Sequence, residues 1–397
     1  MGTIKPAGAP HRGGRYRSWP VACVAGTVIV AAGTMLAVPS QASAAVSEVG
    51  SALAFEQGNS GLPGVTWGTN GDDLNAVRGL GTGVTMEDGT NAVVAGLAAA
   101  PGAGLFQVVW HGANNDLWTT GAGPTDTGAA MAPHTSPSLA ELPNGTWVAA
   151  FQHSDGKLWQ AGNWPNPGSA RITAGTLGAT ATTAMAADTS PAVGIPANNT
   201  IQKGLFHVAW NGANGDLWNT SPPGPVDSGL AMMPGTSPSL AELPNGGLEE
   251  AFTGRNGDLW VWSLATGQGT DTHLAMNSST SPSITTEPVT ATTPAGSFEV
   301  AYQSVNGTLG VYGSLDTRNL GYQMTGSPSI TGVFLPQQLA GSNAVVGYQI
   351  AANIGSSLGS SVTSVWAAPG RNSFAELAEP VGEGSNSPQP SVTALSQ

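Results

Sequence analysis

Three stretches of this chain pair a carboxylate with an indole in the same way: Asp116-Leu117-Trp118, Asp216-Leu217-Trp218 and Asp258-Leu259-Trp260. A fourth, Lys157-Leu158-Trp159, keeps the leucine and the indole but not the acid. An indole face stacks on apolar C–H surface, that of a pyranose ring included, while a neighbouring carboxylate or amide accepts hydrogen bonds from hydroxyls. Asp116, Trp118, Trp159, Asp216, Trp218, Asp258 and Trp260 are therefore candidate ligand-binding residues. Trp164 joins them because it stands outside the repeat, in Asn-Trp-Pro-Asn-Pro. The competing reading is structural: a residue repeated in every unit packs between neighbours, and an aspartate beside a turn hydrogen-bonds the turn backbone.

The element that must position these residues is a hairpin. In Trp210-Asn-Gly-Ala-Asn-Gly-Asp-Leu-Trp218 a strand ends on an aromatic, Asn and Gly supply the turn, and a second strand follows. The arrangement recurs, with Trp67, Trp110, Phe151, Trp210, Phe252 and Tyr302 each seven residues before a leucine. A seventh, degenerate copy sets Tyr348 ahead of Val365-Trp366, with an insertion between them. Each repeat opens on a second motif, Thr-Ser-Pro-Ser-Leu at 135–139 and 236–240, with variants at 189–193, 280–284 and 326–330 and a weaker copy, Gly-Thr-Asn-Ala-Val, at 89–93. Met86, Met131, Met185, Met232 and Met276 each precede that motif's threonine by four residues, which points to a buried socket shared by the repeats. Successive prolines at 137, 191, 238, 282 and 328 give a period mostly in the forties. Four short strands per unit at that period predict an all-β fold, a seven-bladed β-propeller, six or eight blades being the alternatives. Pro390–Leu395 reads as a strand that completes a blade begun near Ser51–Phe55, since closure removes exposed sheet edges.

Residues 1–18 carry Lys5, Arg12, Arg15 and Arg17 and no acid; an apolar run to Val38 and the small-residue pattern Ala42-Ser43-Ala44 follow. This is the layout of a secretory signal peptide, 1–44, ahead of a single repeat domain, 45–397; an uncleaved anchor is the alternative. Removal of that segment takes away the single cysteine and four cations, leaving 7 Lys and Arg against 24 Asp and Glu. Such a surface repels nucleic acid and anionic lipid and favours neutral or cationic partners. Catalytic patterns are missing. Glu249 and Glu250 are adjacent, so a strand would point them to opposite faces, unlike the carboxylate pair of a glycosidase. His111, His134, His153, His207 and His273 show no metal-ligand spacing, and no cofactor is implied.

The pattern Gly-Thr-Ser-Pro-Ser-[Leu/Ile]-Ala-x-Leu, then Ala-Phe-Gln, then Gly-x-Leu-Trp resembles a secreted propeller repeat of actinomycetes. It is similar, more distantly, to bacterial seven-bladed and tectonin-type propeller lectins. The best copies are Thr135–Trp159 and Thr236–Trp260. The resemblance implies a non-enzymatic, secreted sugar-binding propeller whose partners are glycans or glycoconjugates, with several sites between or beside blades. A cell-envelope protein-interaction scaffold is the alternative. Repeats one and seven depart from the pattern, Asn75 standing for the hairpin tryptophan in the first.

Overall fold

The computed structural model of the chain describes residues 50–57, 62–69, 78–79, 84–96, 106–120, 124–142, 146–163, 173–176, 183–195, 206–221, 224–290, 293–335, 345–356, 359–367, 374–380 and 391–395. The predicted signal peptide, Trp164 and Asn75 lie outside them. No α-helix occurs among the described residues. Every sheet is antiparallel, and the strands fall into four-strand units. Unit 2 comprises Val93–Gly96, Phe106–His111, Asp116–Thr120 and Pro124–Ala130, and unit 3 Ser138–Glu141, Trp147–Gln152, Leu158–Gly162 and Thr173–Thr176. Unit 4 follows with Ala192–Gly194, His207–Asn211, Asp216–Ser221 and Gly224–Ala231, and unit 5 with Ser239–Glu242, Leu248–Thr253, Asp258–Ser263 and Gln268–Ala275.

The last sheet has seven strands because Thr317–Leu335 serves twice. Its section 317–323 is the outer partner of Thr308–Gly313 and completes unit 6 with Ser283–Thr286 and Phe298–Gln303. Its section 324–335 is the innermost strand of unit 7, beside Val345–Ser356, Gly359–Ala367 and Phe374–Pro380. Unit 1 joins both ends of the chain: Gly50–Gln57 pairs with Leu62–Thr69 on one side and with Ser391–Leu395 on the other. The innermost strands of successive units touch in a closed cycle, with Ser391–Leu395 lying between those of units 7 and 2.

The tight hairpin has a local cause. Each turn closes with an N–H three residues on, as from Gly215 to the Gly212 carbonyl at 2.8 Å, and the closing residue then takes positive φ. Glycine fills that place at 156, 215, 257 and 307, and Asn115 in unit 2. Alternation along the strands then gives each sheet two apolar faces. Val108 and Trp110 face unit 1, whereas Val109 and Leu117 pack with Leu139, Ala149 and Phe151 of unit 3. Phe206, Val208 and Trp210 meet unit 3, and Ala209 and Leu217 meet Phe252 of unit 5. The methionines occupy the expected socket: Met86, Met131, Met185, Met232, Met276 and Met324 are at most 5% exposed. Each of the first five makes a bridge to the following hairpin, Met131 to His153 and Met232 to Gly254 for example. Trp147 and Trp262, which stand outside the repeat in sequence, are also buried between units.

The Thr-Ser-Pro-Ser motif ties unit to unit. The N–H of Asn91 donates to Ser136 Oγ (2.9 Å), Ser136 N–H to Ser190 Oγ (2.8 Å), and Ser190 N–H to Ser237 Oγ (2.8 Å). The ladder continues from Ser237 to Ser281 (2.9 Å) and from Ser281 to Ser327 (2.7 Å). The motif's second serine reaches forward as well, Ser138 Oγ accepting from Val193 N–H and Ser239 Oγ from Ile284 N–H, both at 3.0 Å. Removing one ladder hydroxyl leaves a backbone donor without its acceptor. Ser190→Ala and Ser237→Ala are each expected to cost about 1–2 kcal/mol, read by denaturant unfolding, provided the transition stays two-state.

One junction stores acid. Glu287 and Glu299, on the face of unit 6 that meets unit 7, are 1% and 0% exposed, and neither Glu287 oxygen meets a donor. Burial, reinforced by the neighbouring Glu299, pushes the Glu287 carboxyl up to about 9. Burial likewise lifts Glu299 to about 8, although its Oε1 accepts from the N–H groups of Leu315 (3.0 Å) and Asp316 (3.1 Å). The folded chain thus keeps protons that the unfolded chain releases above the ordinary glutamate range. Stability from this pair is full in acid and declines as pH rises toward about 9. The melting temperature should be higher at pH 5 than at pH 9, and Glu287→Gln should shrink the difference.

Candidate functional site

The Asp-Leu-Trp stretches open the third strands of units 2, 4 and 5, where alternation buries the leucine and leaves aspartate and indole together on the other face. In unit 2 the Trp118 indole lies over Gly112 and stacks on the fully buried Trp110, ring centroids 6.1 Å apart and planes at 25°. Its Nε1–H donates to Asn114 Oδ1 at 2.9 Å. The same Oδ1 accepts from the Asp116 N–H (3.2 Å), while Asn114 Nδ2 donates to Asp116 Oδ2 (2.9 Å) and Asp126 Oδ2 (3.0 Å). Asp126 comes from the outer strand, directly opposite Trp118, and its Oδ1 accepts from Gly128 N–H at 2.8 Å. Burial, and then the adjacent Asp126 charge, raises the Asp116 carboxyl above its ordinary value.

Units 4 and 5 reproduce this frame almost atom for atom. Trp218 Nε1–H donates to Asn214 Oδ1 (3.0 Å), and Asn214 Nδ2 bridges Asp216 (2.8 Å) and Asp227 (2.9 Å). Trp260 does the same with Asn256 (3.1 Å), whose Nδ2 reaches Asp258 and Asp271 at 2.9 Å each. The three indoles are half-buried, each with an aromatic beneath it: Trp110, Trp210 or Phe252. A Cβ at Gly112, Gly212 or Gly254 would stand 2.3–2.5 Å from the indole Cδ1, so glycine is what seats the ring. Asp258 and Asp271 also approach His273 at metal-ligand spacing, but the Asn256 amide already bridges the two carboxylates.

The other units depart from the frame, each by identifiable substitutions. In unit 3 His153 stands in the glycine seat and stacks on Trp159, centroids 3.9 Å apart and planes at 12°. Unit 6 has Gly310 in the indole's place; a Cβ there would lie 2.5 Å from Tyr302, which leans over it. In unit 7 the register corrects the sequence alignment by one residue. Tyr348 faces Ala367, and Trp366 takes the leucine's place opposite Gln349. Tyr348 instead donates its hydroxyl to Asp316 (3.2 Å), which also receives Arg318 Nε at 2.8 Å. Of the predicted residues, Asp116 with Trp118, Asp216 with Trp218 and Asp258 with Trp260 are each brought together. Trp159 has no aspartate of the same kind beside it.

Six further residues complete the frames: Asn114, Asn214 and Asn256 at the turns, and Asp126, Asp227 and Asp271 on the outer strands. Their signals are Asn-x-Asp in the turn and Asp-[Thr/Ser]-[Gly/His] ten to thirteen residues later. The hydroxyls of Thr127, Ser228 and Thr272 anchor those outer strands on the buried leucine's carbonyl, each at 2.7 Å.

No protein-family model matches the sequence, and no curated protein matches it. Among solved structures it is similar to AofleA from Arthrobotrys oligospora, at a TM-score of 0.48 and 15% identity over 76% of this chain and 88% of that one. It is also similar to the Aleuria aurantia lectin, described as a six-bladed β-propeller with a novel fucose recognition mode. There the TM-score is 0.47 and the identity 12%, over 74% of this chain and 97% of that one. A third is the SapL1 lectin in complex with α-methyl fucoside, at a TM-score of 0.46 and 11% identity, over 74% and 97% of the two chains.

The glycine seat gives a direct test. In Gly212→Ala the new methyl displaces the Trp218 indole from Asn214, at a cost of roughly 1–3 kcal/mol. Tryptophan emission should shift to the red and the unfolding midpoint fall. Gly224→Ala, where the added carbon meets nothing within 4 Å, should do neither.

Proposed function

We propose that this protein is a secreted, non-catalytic, carbohydrate-binding propeller of seven blades, its mature chain beginning after Ala44. The observation that carries the reading is the threefold recurrence of one frame: a half-exposed indole on a buried aromatic, flanked by two carboxylates that a single asparagine holds in place. An indole clamped at its N–H offers stacking area at little entropic cost. Carboxylates already oriented by Asn can still accept hydroxyl hydrogens on their remaining lone pairs. Asp116, Trp118, Asp216, Trp218, Asp258 and Trp260 are the contacts assigned to three equivalent sites. The cycle of innermost strands and the shared pairing of both chain ends support seven blades. An acidic chain exported without cysteine fits a partner that is neutral or cationic.

Shallow single sites bind weakly, and several sites on one rigid body gain about 10²–10⁴ in avidity. The full chain should therefore bind neutral or amino saccharides displayed at high density on a glycan array. Replacing Trp118, Trp218 and Trp260 together by alanine should abolish that binding. Silence toward every neutral and amino sugar, alongside capture of an envelope protein that free sugar does not compete, would replace this reading with that of a protein-interaction scaffold.

A further inference from the structure

Unit 3 carries the same hairpin with its charges altered. Lys157 stands where units 2, 4 and 5 have Asp116, Asp216 and Asp258. The His153 N–H donates to the Lys157 carbonyl at 2.9 Å, so the two residues face each other across the turn. Lys157 and Trp159 flank the buried Leu158 and therefore share a face of the strand. Opposite Trp159 on the outer strand stands Thr176, whereas Asp126, Asp227 and Asp271 stand opposite Trp118, Trp218 and Trp260. Both carboxylates of the common frame are thus gone. The one acid that remains, Asp155, occupies the place of the bridging asparagine, and its ties are internal. Its Oδ1 lies 3.0 Å from His153 Nδ1 and accepts the Lys157 N–H at 3.1 Å. Two acids per indole in three units become one cation and one internally held acid in the fourth, with an imidazole stacked on the ring.

We infer that unit 3 is a subsite of opposite charge preference, which takes a carboxylate-bearing saccharide on the Lys157–His153–Trp159 face while the aspartate frames of units 2, 4 and 5 exclude it. The lysine ammonium supplies the counter-charge, and since His153 Nδ1 accepts the Asp155 N–H at 3.2 Å, the imidazole Nε2–H is the donor it can offer a ligand. Units 2, 4 and 5 hold two carboxylates, bridged by the asparagine that clamps the indole, where a uronate would meet like charge. The protein would then bridge acidic and non-acidic glycans through separate blades of one body.

This inference rests on the carbohydrate reading, and the test separates the two. The probes are polygalacturonate, alginate and hyaluronate, each against its methyl-esterified form, which keeps the sugar and removes the charge. Binding of the full chain to at least one acid form should exceed binding to its ester and weaken as salt is raised. Lys157→Glu, an exposed change, should lower that binding about tenfold by exchanging one attraction for one repulsion. Binding to neutral saccharides should stay as it was. Neutral binding with no acid form preferred to its ester, or acid binding that Lys157→Glu leaves unchanged, overturns the charge assignment and spares the lectin reading. Absence of binding to every saccharide, charged or not, removes both.

Discussion

A backbone N–H that finds its acceptor only on the next unit is the constraint from which the rest follows. From Asn91 to Ser327 the donor of one Thr-Ser-Pro-Ser segment, or of its asparagine variant, ends on the hydroxyl of the following one. Proline after the first serine removes a competing donor and fixes the entry of the innermost strand. The methionine strap obeys the same logic. Met232 N–H donates back to Gly215 of its own hairpin at 2.8 Å, and its neighbour Met233 donates forward to Thr253 of the next unit at 2.9 Å. Neither the polar edge nor the apolar face of a sheet is satisfied alone, so units cohere by necessity and not by added contacts.

That coherence frees the hairpin end of each sheet to vary. The leucine at the base of the third strand is buried at 117, 158, 217, 259 and 309, and so holds the backbone in register whatever happens one residue later. With the register fixed, the residue at the glycine seat and the residue at the aromatic position vary together. Glycine admits an indole clamped by asparagine; histidine stacks on the ring; serine at 304 accompanies loss of the indole altogether. The scaffold therefore produces chemically distinct surfaces from one backbone, and local sequence alone sets which.

Much of this was legible in the chain before any coordinates. The hairpins, the order of strands in each repeat and the methionine socket followed from fixed spacings, and the pairing of the early and late strands from the need to cover a sheet edge. What escaped was whatever had no fixed spacing. The outer-strand aspartates lie ten, eleven and thirteen residues beyond their partners, because the connecting loops differ in length, and a constant-period reading passes over them. The bridging asparagines were visible but looked like ordinary turn formers, since Asn-Gly serves a hairpin with or without a side-chain role. In unit 7 the insertion hid the register, so Val365-Trp366 resembled Leu-Trp although pairing sets Ala367 in the indole's place. The buried pair Glu287 and Glu299 left no mark at all, because burial of an acid depends on what the next sheet lays over it.

The strand Ser391–Leu395 is both the last strand among the described residues and the innermost partner of the first. A ribosome emits Gly50–Gln57 some 340 residues before that partner exists, and over that interval the first strand has one unpaired edge and the core behind it stays open. Such an edge invites pairing with other chains. Until Ser391–Leu395 arrives, the intervening units can dock on one another while the first sheet keeps an open side, so shielding that side from other chains is a demand this topology makes on folding.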